Sequence, residues 1–343
     1  MKDFIKEKFN ITGKKNIIKH NKNFNIAYGV DKNFLLGAAI SINSVLINNS
    51  DINFNFYLFT DYIEDEYIQR LQKMITKYNS NIIIYLLDAK ELKQLPTSDF
   101  WSYATYFRLI AFEYLSSNIN SVLYLDADII CKGSLKELFQ LELTDFFAAV
   151  VLDVDGMQQS SASRLKLPYL NGKYFNAGVI YVNLQKWIEN DFTKKSLELL
   201  GGKTHFGKLK YLDQDALNIL FQTQNIYLSR DYNCIYTLKN ELAYRDIFKY
   251  NNTITDSTIL IHHTGVTKPW HTWGINYPAS QFFLNSYIYS PWKNQPLKAA
   301  EKKTELQEKY KHLFLQHKYM QGLLCLIKYK LNKLIKIFIT TQC

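Results

Sequence analysis

The sequence predicts an α/β fold, in which a mainly parallel β-sheet is covered by helices on both faces and followed by a helical, basic C-terminal tail. Three observations carry that expectation. Short apolar runs suited to buried strands alternate with segments of helical periodicity along most of the chain. Several of those runs empty into acids or histidines, and open α/β sheets bind ligands beyond the C-terminal ends of their strands. From Lys298 to Cys343 ten lysines stand against three glutamates, so most of the net charge of +10 sits at one end.

The elements follow in order. After a basic lead-in, residues 1–23, "FNIAYGVDKNF" (24–34) reads as a strand running into a loop. "LLGAAISINSVLIN" (35–48) has helical periodicity, "FNFYLFT" (54–60) suits a buried strand, and "EDEYIQRLQKMITKY" (64–78) is again helical. A strand is expected at 81–88, a helix at 104–115, and then the strand of "SVLYLDADIICKGSL" (121–135). Further strands are expected within 146–155 and around 178–182, the latter followed by a helix. A helix is expected over 209–221, and "STILIHHTGVTKPWHTW" (257–273) reads as a strand opening into a loop. Residues 299–319 suit a polar helix and 323–338 an amphipathic one.

Composition narrows the classes. With 343 residues and 47% hydrophobic content the chain can bury a substantial core, as one large domain plus an appendage or as two domains. We divide it into a lead-in (1–23), a catalytic domain (24–285) and a C-terminal basic region (286–343). The four cysteines show neither metal-ligand pairing nor a disulfide pattern, which suits a reducing compartment. The N-terminus does not read as a secretory signal, and no apolar run is long enough to span a bilayer. No GxGxxG turn follows the first strand, which counts against a dinucleotide-binding dehydrogenase.

In the last helix Leu323, Ile327, Leu331, Leu334, Ile335 and Phe338 recur near one face, with Lys328, Lys333 and Lys336 mostly off it. That pattern fits a helix lying in a membrane interface, or one docked on a core or partner; the clustered charge favours an anionic membrane contact through residues 299–343. The basic region lacks arginine and any nucleic-acid recognition module, so no nucleic-acid partner is expected.

The chemistry concentrates at Asp126 and Asp128. In extended backbone the two carboxylates share a face, where they need either a cation between them or solvent. Oxygen ligands suit Mg²⁺ or Mn²⁺, and an added imidazole tilts the choice to Mn²⁺. "IHHTGVTKPW" offers His262 and His263, which point opposite ways in a strand, so at most one is a natural ligand. Gly265 and Lys268 beside such a metal describe a site for diphosphate oxygens.

The ordered fragments "GVDKNF", "YFRLIAFEYL", "YLDADI", "YFNAGV", "YLDQDALN" and "IHHTGVTKPWH" resemble glycosyltransferase family 8, and most of all its lipopolysaccharide core glucosyl- and galactosyltransferases. The resemblance spans residues 24 to about 273. It implies the GT-A fold, a UDP-glucose or UDP-galactose donor, Mn²⁺ with Mg²⁺ as the alternative, retention of anomeric configuration and an α-glycosidic product. It further implies a lipid-anchored oligosaccharide acceptor and a place in the bacterial cytoplasm, at the inner face of the membrane.

Carried over by position, the resemblance makes Asp126 and Asp128, around Ala127, and His262 the metal ligands. Asp31 and Asn33, with the backbone from Ala27 to Val30, would form the nucleoside pocket. Arg108 and Asp153 would hold the donor sugar; Asn176, Asp213 and Gln214 would line the reaction centre; Gly265 and Lys268 would meet the diphosphate. Simpler readings stand beside these: Arg108 on a helix surface, Asn176 satisfying backbone groups, Asp213 as a helix N-terminal acid. Trp270 and Trp273 are core aromatics or an acceptor platform, with a structural role favoured for Trp270. Same-face substitution is favoured over a covalent intermediate, since Gln214 is a poor nucleophile. A protein or other glycan transferase with the same donor, and an inactive nucleotide-sugar-binding or membrane-peripheral scaffold, are the alternatives.

Overall fold

The computed structural model describes residues 4–14, 23–98, 101–202, 205–244 and 248–340, with the side chains of 248 and 334–340 outside the described set. Its strands are β1 (Ile5–Thr12), β2 (Phe24–Val30), β3 (Phe54–Thr60), β4 (Asn81–Leu87), β5 (Ser121–Leu125), β6 (Ile129–Cys131), β7 (Ala148–Leu152), β8 (Phe175–Asn183), β9 (Asn225–Tyr227), β10 (Cys234–Ile235) and β11 (Leu260–His262). Among the described residues the main sheet runs β1-β4-β3-β2-β5-β8-β7-β9, and a small sheet runs β10-β11-β6.

The main sheet is mixed and mostly parallel: β2–β3, β3–β4, β2–β5 and β7–β9 are parallel, while β1–β4, β5–β8 and β7–β8 are antiparallel. From β2 the chain builds outward through β3 and β4, then returns to place β5 on the other side of β2. That reversal opens a crevice at the C-terminal ends of β2 and β5, where Asp31 and Asp126 fall.

Strand residues alternate between two buried layers, as a two-residue period requires. Ile26, Tyr28, Phe56, Leu58 and Ile84 pack in the layer formed by helices Leu35–Asn48 and Asp65–Ile75, whereas Ala27, Tyr57, Phe59 and Tyr85 face the helix Phe107–Leu115. Helix Leu35–Asn48 is apolar almost all round because it is enclosed on both sides, by the sheet and by helix Gln281–Ile288.

Two features depart from the sequence reading. The segment 104–115 is not one helix: Ser102 caps a 3₁₀ turn at Tyr103–Tyr106 before the α-helix begins at Phe107. The basic lead-in contributes an edge strand, β1, paired antiparallel with β4.

The C-terminal region divides. Helix Lys303–Leu315 buries Leu306 and Leu313 against Trp273, Gln316 Nε2 donates to Trp273 O at 2.8 Å, and Tyr277 Oη lies 2.6 Å from His312 Nδ1. Helix Tyr319–Thr340 lies on that helix through Cys325 and Tyr329, with Gly322 fitted against the Phe314 ring. Its other side leaves Met320, Leu323, Leu324, Ile327 and Leu331 exposed. No helix among the described residues is long and apolar enough to cross a membrane.

Candidate active site

Asp126 and Asp128 converge, though not through the extended backbone expected. Residues 126–128 form a turn, closed by Ile129 N–H donating to Asp126 O at 3.1 Å, between β5 and β6. The third member arrives by strand pairing: β11 runs antiparallel to β6 with His262 opposite Ile129, and His263 N–H donates to Asp128 O at 2.9 Å. Strand alternation then sends the two histidines opposite ways. His262 Nε2 lies 3.2 Å from Asp128 Oδ1 and 3.9 Å from Asp126 Oδ2. His263 is fully buried, neither ring nitrogen has a hydrogen-bond partner, and burial pushes its pKa down to about 3.

Asp126, Asp128 and His262 each turn one potential ligand atom into a space where those atoms lie within 4.8 Å of one another. Two carboxylate oxygens and one imidazole nitrogen make a donor set for a divalent cation. Gly178 leaves room for the His262 ring that supplies the nitrogen: a Cβ there would collide with Cε1 and lie 2.8 Å from Nδ1. The residues present therefore fit a divalent metal.

Lys268 Nζ donates to Asp128 Oδ2 at 2.5 Å and to His263 O at 2.7 Å. Burial alone would raise the Asp128 carboxyl, but the Lys268 ammonium beside it holds it well below the usual carboxylate range. Gly265 adopts φ +86°, a left-handed conformation that favours glycine, in the loop that delivers Lys268. His271 fixes the same loop by accepting Lys268 N–H on Nδ1 at 3.1 Å while stacking on Trp273.

Arg108, on the buried first turn of its helix, joins the carboxylates. Its Nη2 lies 2.8 Å from Asp126 Oδ1, its Nε lies 2.9 Å from Asp213 Oδ2, and its Nη1 donates to Ala177 O. The guanidinium also sits over the Tyr124 ring. Burial raises the Asp213 carboxyl, partly offset by Arg108 and by the Thr105 hydroxyl at 2.5 Å.

Helix Leu212–Phe221 starts abruptly, with Leu212 at φ +46°, and its first turn fans three polar side chains apart. Asp213 goes to Arg108. Gln214 accepts Ala177 N–H at 3.0 Å on Oε1 and donates to Asp153 Oδ2 at 2.8 Å. Asp215, fully buried, takes Arg164 through both oxygens at 2.7 and 2.8 Å and the Tyr174 hydroxyl at 2.6 Å, which engages it away from the reaction space. A register break in the β7–β8 pairing, between Val150 and Val151, turns Asn176–Gly178 toward the same centre.

These groups line one cavity of about 510 Å³. Its far end holds Asp31, which accepts from Asn33 N–H at 2.9 Å and Ser102 Oγ at 2.8 Å. Of the residues singled out in the sequence, Val30, Asp31, Asn33, Arg108, Asp126, Ala127, Asp128, Asp153, Asn176, Asp213, Gln214, His262, Gly265 and Lys268 border it. Ala27 does not; its methyl packs in the sheet core. Trp270 borders the cavity but is 2% exposed, and Trp273 is fully buried, so neither offers a free stacking face.

The sequence reading missed Ser102, Thr105, Asn233 and the C-terminal Lys298 and Lys302. Ser102 carried a signal as a small hydroxyl just ahead of the helix expected from 104. The other four carried none. Lys298 reaches the cavity because its segment bridges to His271, with Lys298 N–H donating to Trp270 O at 2.9 Å.

The model of glycosyl transferase family 8 matches residues 25–274, and that of the glycosyl transferase family 8 C-terminal region matches 277–333. The chain is 48% identical over 310 residues to a lipopolysaccharide 1,2-glucosyltransferase of Escherichia coli, covering 90% of this chain and 91% of that one. It is 39% identical to a lipopolysaccharide 1,3-galactosyltransferase of Salmonella typhimurium, covering 91% and 92%. A solved structure of the galactosyltransferase LgtC in complex with donor and acceptor sugar analogs superposes with a TM-score of 0.62 at 24% identity, over 77% of this chain and 95% of that one. That likeness places the fold in the GT-A class.

Proposed function

The chain belongs to glycosyl transferase family 8, and we propose that it is a retaining enzyme transferring a hexose from a UDP-sugar to a hydroxyl of a lipopolysaccharide core sugar, with an α-glycosidic product. The observation that carries the reading is the convergence of Asp126, Asp128 and His262 within 4.8 Å, in a cavity that continues to Asp31 on one side and to Gln214 on the other. A sugar nucleotide has that extended, three-part shape. Glucose is the first sugar to test, because relatives at 48% and 42% identity are lipopolysaccharide 1,2-glucosyltransferases.

Asp126, Asp128 and His262 would hold the metal, and the mixed oxygen and nitrogen set favours Mn²⁺ over Mg²⁺. Bound there, the cation supplies Lewis-acid charge to the oxygens of a departing diphosphate. Lys268 adds a fixed positive charge to the same oxygens, and Gly265 lets the backbone approach them. Asp31 and Asn33 would seat the nucleoside, with Arg108 and Asp153 holding the sugar. Asp215 is consumed by Arg164 and Tyr174, and Asp213 by Arg108 and Thr105, which leaves both poorly disposed as nucleophiles. That supports same-face substitution, in which a leaving diphosphate oxygen takes the acceptor proton while Gln214 and Asn176 line the sugar.

The exposed apolar stripe of helix Tyr319–Thr340 is the proposed contact with an anionic membrane, which would hold the enzyme at the inner face of the bacterial cytoplasmic membrane. Lys328, Lys330 and Lys333 are exposed on the same helix, and each lysine near an anionic surface contributes about 1 kcal/mol. The side chains of Leu334, Ile335, Lys336 and Phe338, part of the expected face, lie outside the described residues.

The test of the reaction is incubation with Mn²⁺, UDP-glucose or UDP-galactose, and lipopolysaccharide truncated in its core, with the product linkage read by NMR. A new α-linked hexose supports the proposal. No transfer from either donor onto any truncated core would refute the acceptor assignment.

A further inference from the structure

Asn233 has no role in the reaction proposed above, yet its side chain bridges His262 and Asn176. It ends the 3₁₀ turn Arg230–Asn233, is 2% exposed, and is held in place because β10, which follows it, pairs in parallel with β11, Cys234 opposite Ile261. A polar side chain buried to this degree depends on its hydrogen-bond partners.

The hydrogen-bond directions around Asn233 follow from groups that cannot be reversed. The backbone N–H of Gly178 only donates, and it donates to Asn176 at 3.0 Å, so the Asn176 atom there is the oxygen Oδ1. The Asn233 amide end lying 3.0 Å from that oxygen must then be its NH₂. Asn233 therefore presents its carbonyl oxygen to His262 Nδ1, also at 3.0 Å. A carbonyl oxygen only accepts, so Nδ1 carries the hydrogen. Gln214 gives an independent check: Ala177 N–H fixes its Oε1 as an acceptor, and the Asn176 NH₂ that the chain of directions requires points at it, 3.2 Å away.

We propose that Asn233 is a positioning residue that locks His262 in the Nδ1–H tautomer, so that the Nε2 lone pair faces Asp126 and Asp128 as a metal ligand. The proposal rests on the metal reading of those three residues. The opposite tautomer would aim an N–H at Asp128 and close the site to a cation. Outer partners of metal-bound histidines fix the tautomer and ring orientation in this manner, and their loss typically costs about 10- to 100-fold in metal affinity. Through Asn176 the same contact reaches Gln214, so the metal ligand and the reaction centre take their orientation from two adjacent amides of β8, Ala177 and Gly178.

The test uses the full chain, metal-free and mildly alkaline, with ¹⁵N-labelled histidine. Long-range ¹H–¹⁵N correlation should show a protonated Nδ1 and a bare Nε2 for His262, identified by its absence in His262→Gln. In Asn233→Ala that single tautomer should give way to a mixture. Mn²⁺ alone, titrated with the free ion followed by EPR, should bind Asn233→Ala about 10- to 100-fold more weakly than wild type. Asn233→Asp should recover most of the lost affinity, because its carboxylate accepts the same N–H, while losing the donor to Asn176. A merely structural role would not produce that rescue. A protonated Nε2 in the wild type overturns the proposal, as does unchanged Mn²⁺ binding in Asn233→Ala or an Asn233→Asp no tighter than Asn233→Ala. Wild type with the Nδ1–H tautomer but no Mn²⁺ binding would overturn the metal reading, and with it the role given to the tautomer. Should Asn233→Ala not fold, the wild-type tautomer and the Asn233→Asp titration still decide.

Discussion

Gly178 and the imidazole of His262 share a space that admits no side chain: a Cβ on Gly178 would lie 2.8 Å from His262 Nδ1 and 3.0 Å from Asn176 Oδ1. Gly178→Ala is therefore expected to displace the ring from Asp128. Mn²⁺ affinity, measured by calorimetry, should fall by about 10-fold or more, with a smaller effect on UDP binding in the absence of metal. Unchanged affinity would show that the ring has room to give.

Lys268 and Asp128 form a buried pair, 7% and 8% exposed, so removing the ammonium leaves a buried carboxylate without its partner. Lys268→Met is expected to destabilise the metal-free protein by about 3 kcal/mol. Saturating Mn²⁺ should shrink that loss, because a cation at Asp128 substitutes for the missing charge. Thermal unfolding of both proteins with and without Mn²⁺ checks the interaction. Equal losses in the two conditions would separate Lys268 from the metal.

Asp215 and Asp153 look alike in sequence but are held differently. Asp215→Asn turns an amide NH₂ toward the Arg164 guanidinium in a fully buried setting, and is expected to cost about 3 kcal/mol of stability. Its folded fraction should keep wild-type Mn²⁺ and UDP affinity. Asp153→Asn should instead cut kcat and, with neutral amide donors rather than a guanidinium opposite it, cost less stability than Asp215→Asn. Unfolding curves and single-donor kinetics on both variants separate the two roles.

His312, on helix Lys303–Leu315, is buried against Tyr277, and burial pushes its pKa down to about 4. The unfolded chain takes up this proton near pH 6.5, so the unfolded state binds more protons as pH falls from there to about 4. Stability is therefore lost on acidification. Between pH 7 and 5 the wild type should lose about 2 kcal/mol more than His312→Gln, read from urea unfolding at the two pH values. Parallel losses would mean that His312 does not titrate in this window.

Much of the fold was legible because its signals are local. Strands β2 to β5 and the helices between them announce themselves as apolar runs and helical periods, and the acids at strand ends mark the crevice. Short elements were not legible. The three-residue β6 carries too little pattern; a strand was legible within 257–273, but not its antiparallel pairing with β6, which decides that His262, and not His263, meets Asp128. The candidate site residues Asp213 and His262 were named through the family resemblance, but the contacts that hold them, Thr105 on Asp213 and Asn233 on His262, depend on register and on turns. Nor did charge pattern distinguish the two C-terminal helices. Lys303–Leu315 is tied to Trp273 by Leu306 and Leu313, while only Tyr319–Thr340 keeps an open apolar face.

The measurement that bears most directly on a metal-dependent UDP-hexose transferase is NMR of the purified chain with Mn²⁺ and each UDP-hexose, following sugar release and the anomer first formed. Release from one donor as the α anomer, abolished by EDTA and in Asp128→Ala, is the expected result. A β anomer formed first would contradict retention. Release that survives both EDTA and Asp128→Ala would contradict the role given to Asp126, Asp128 and His262.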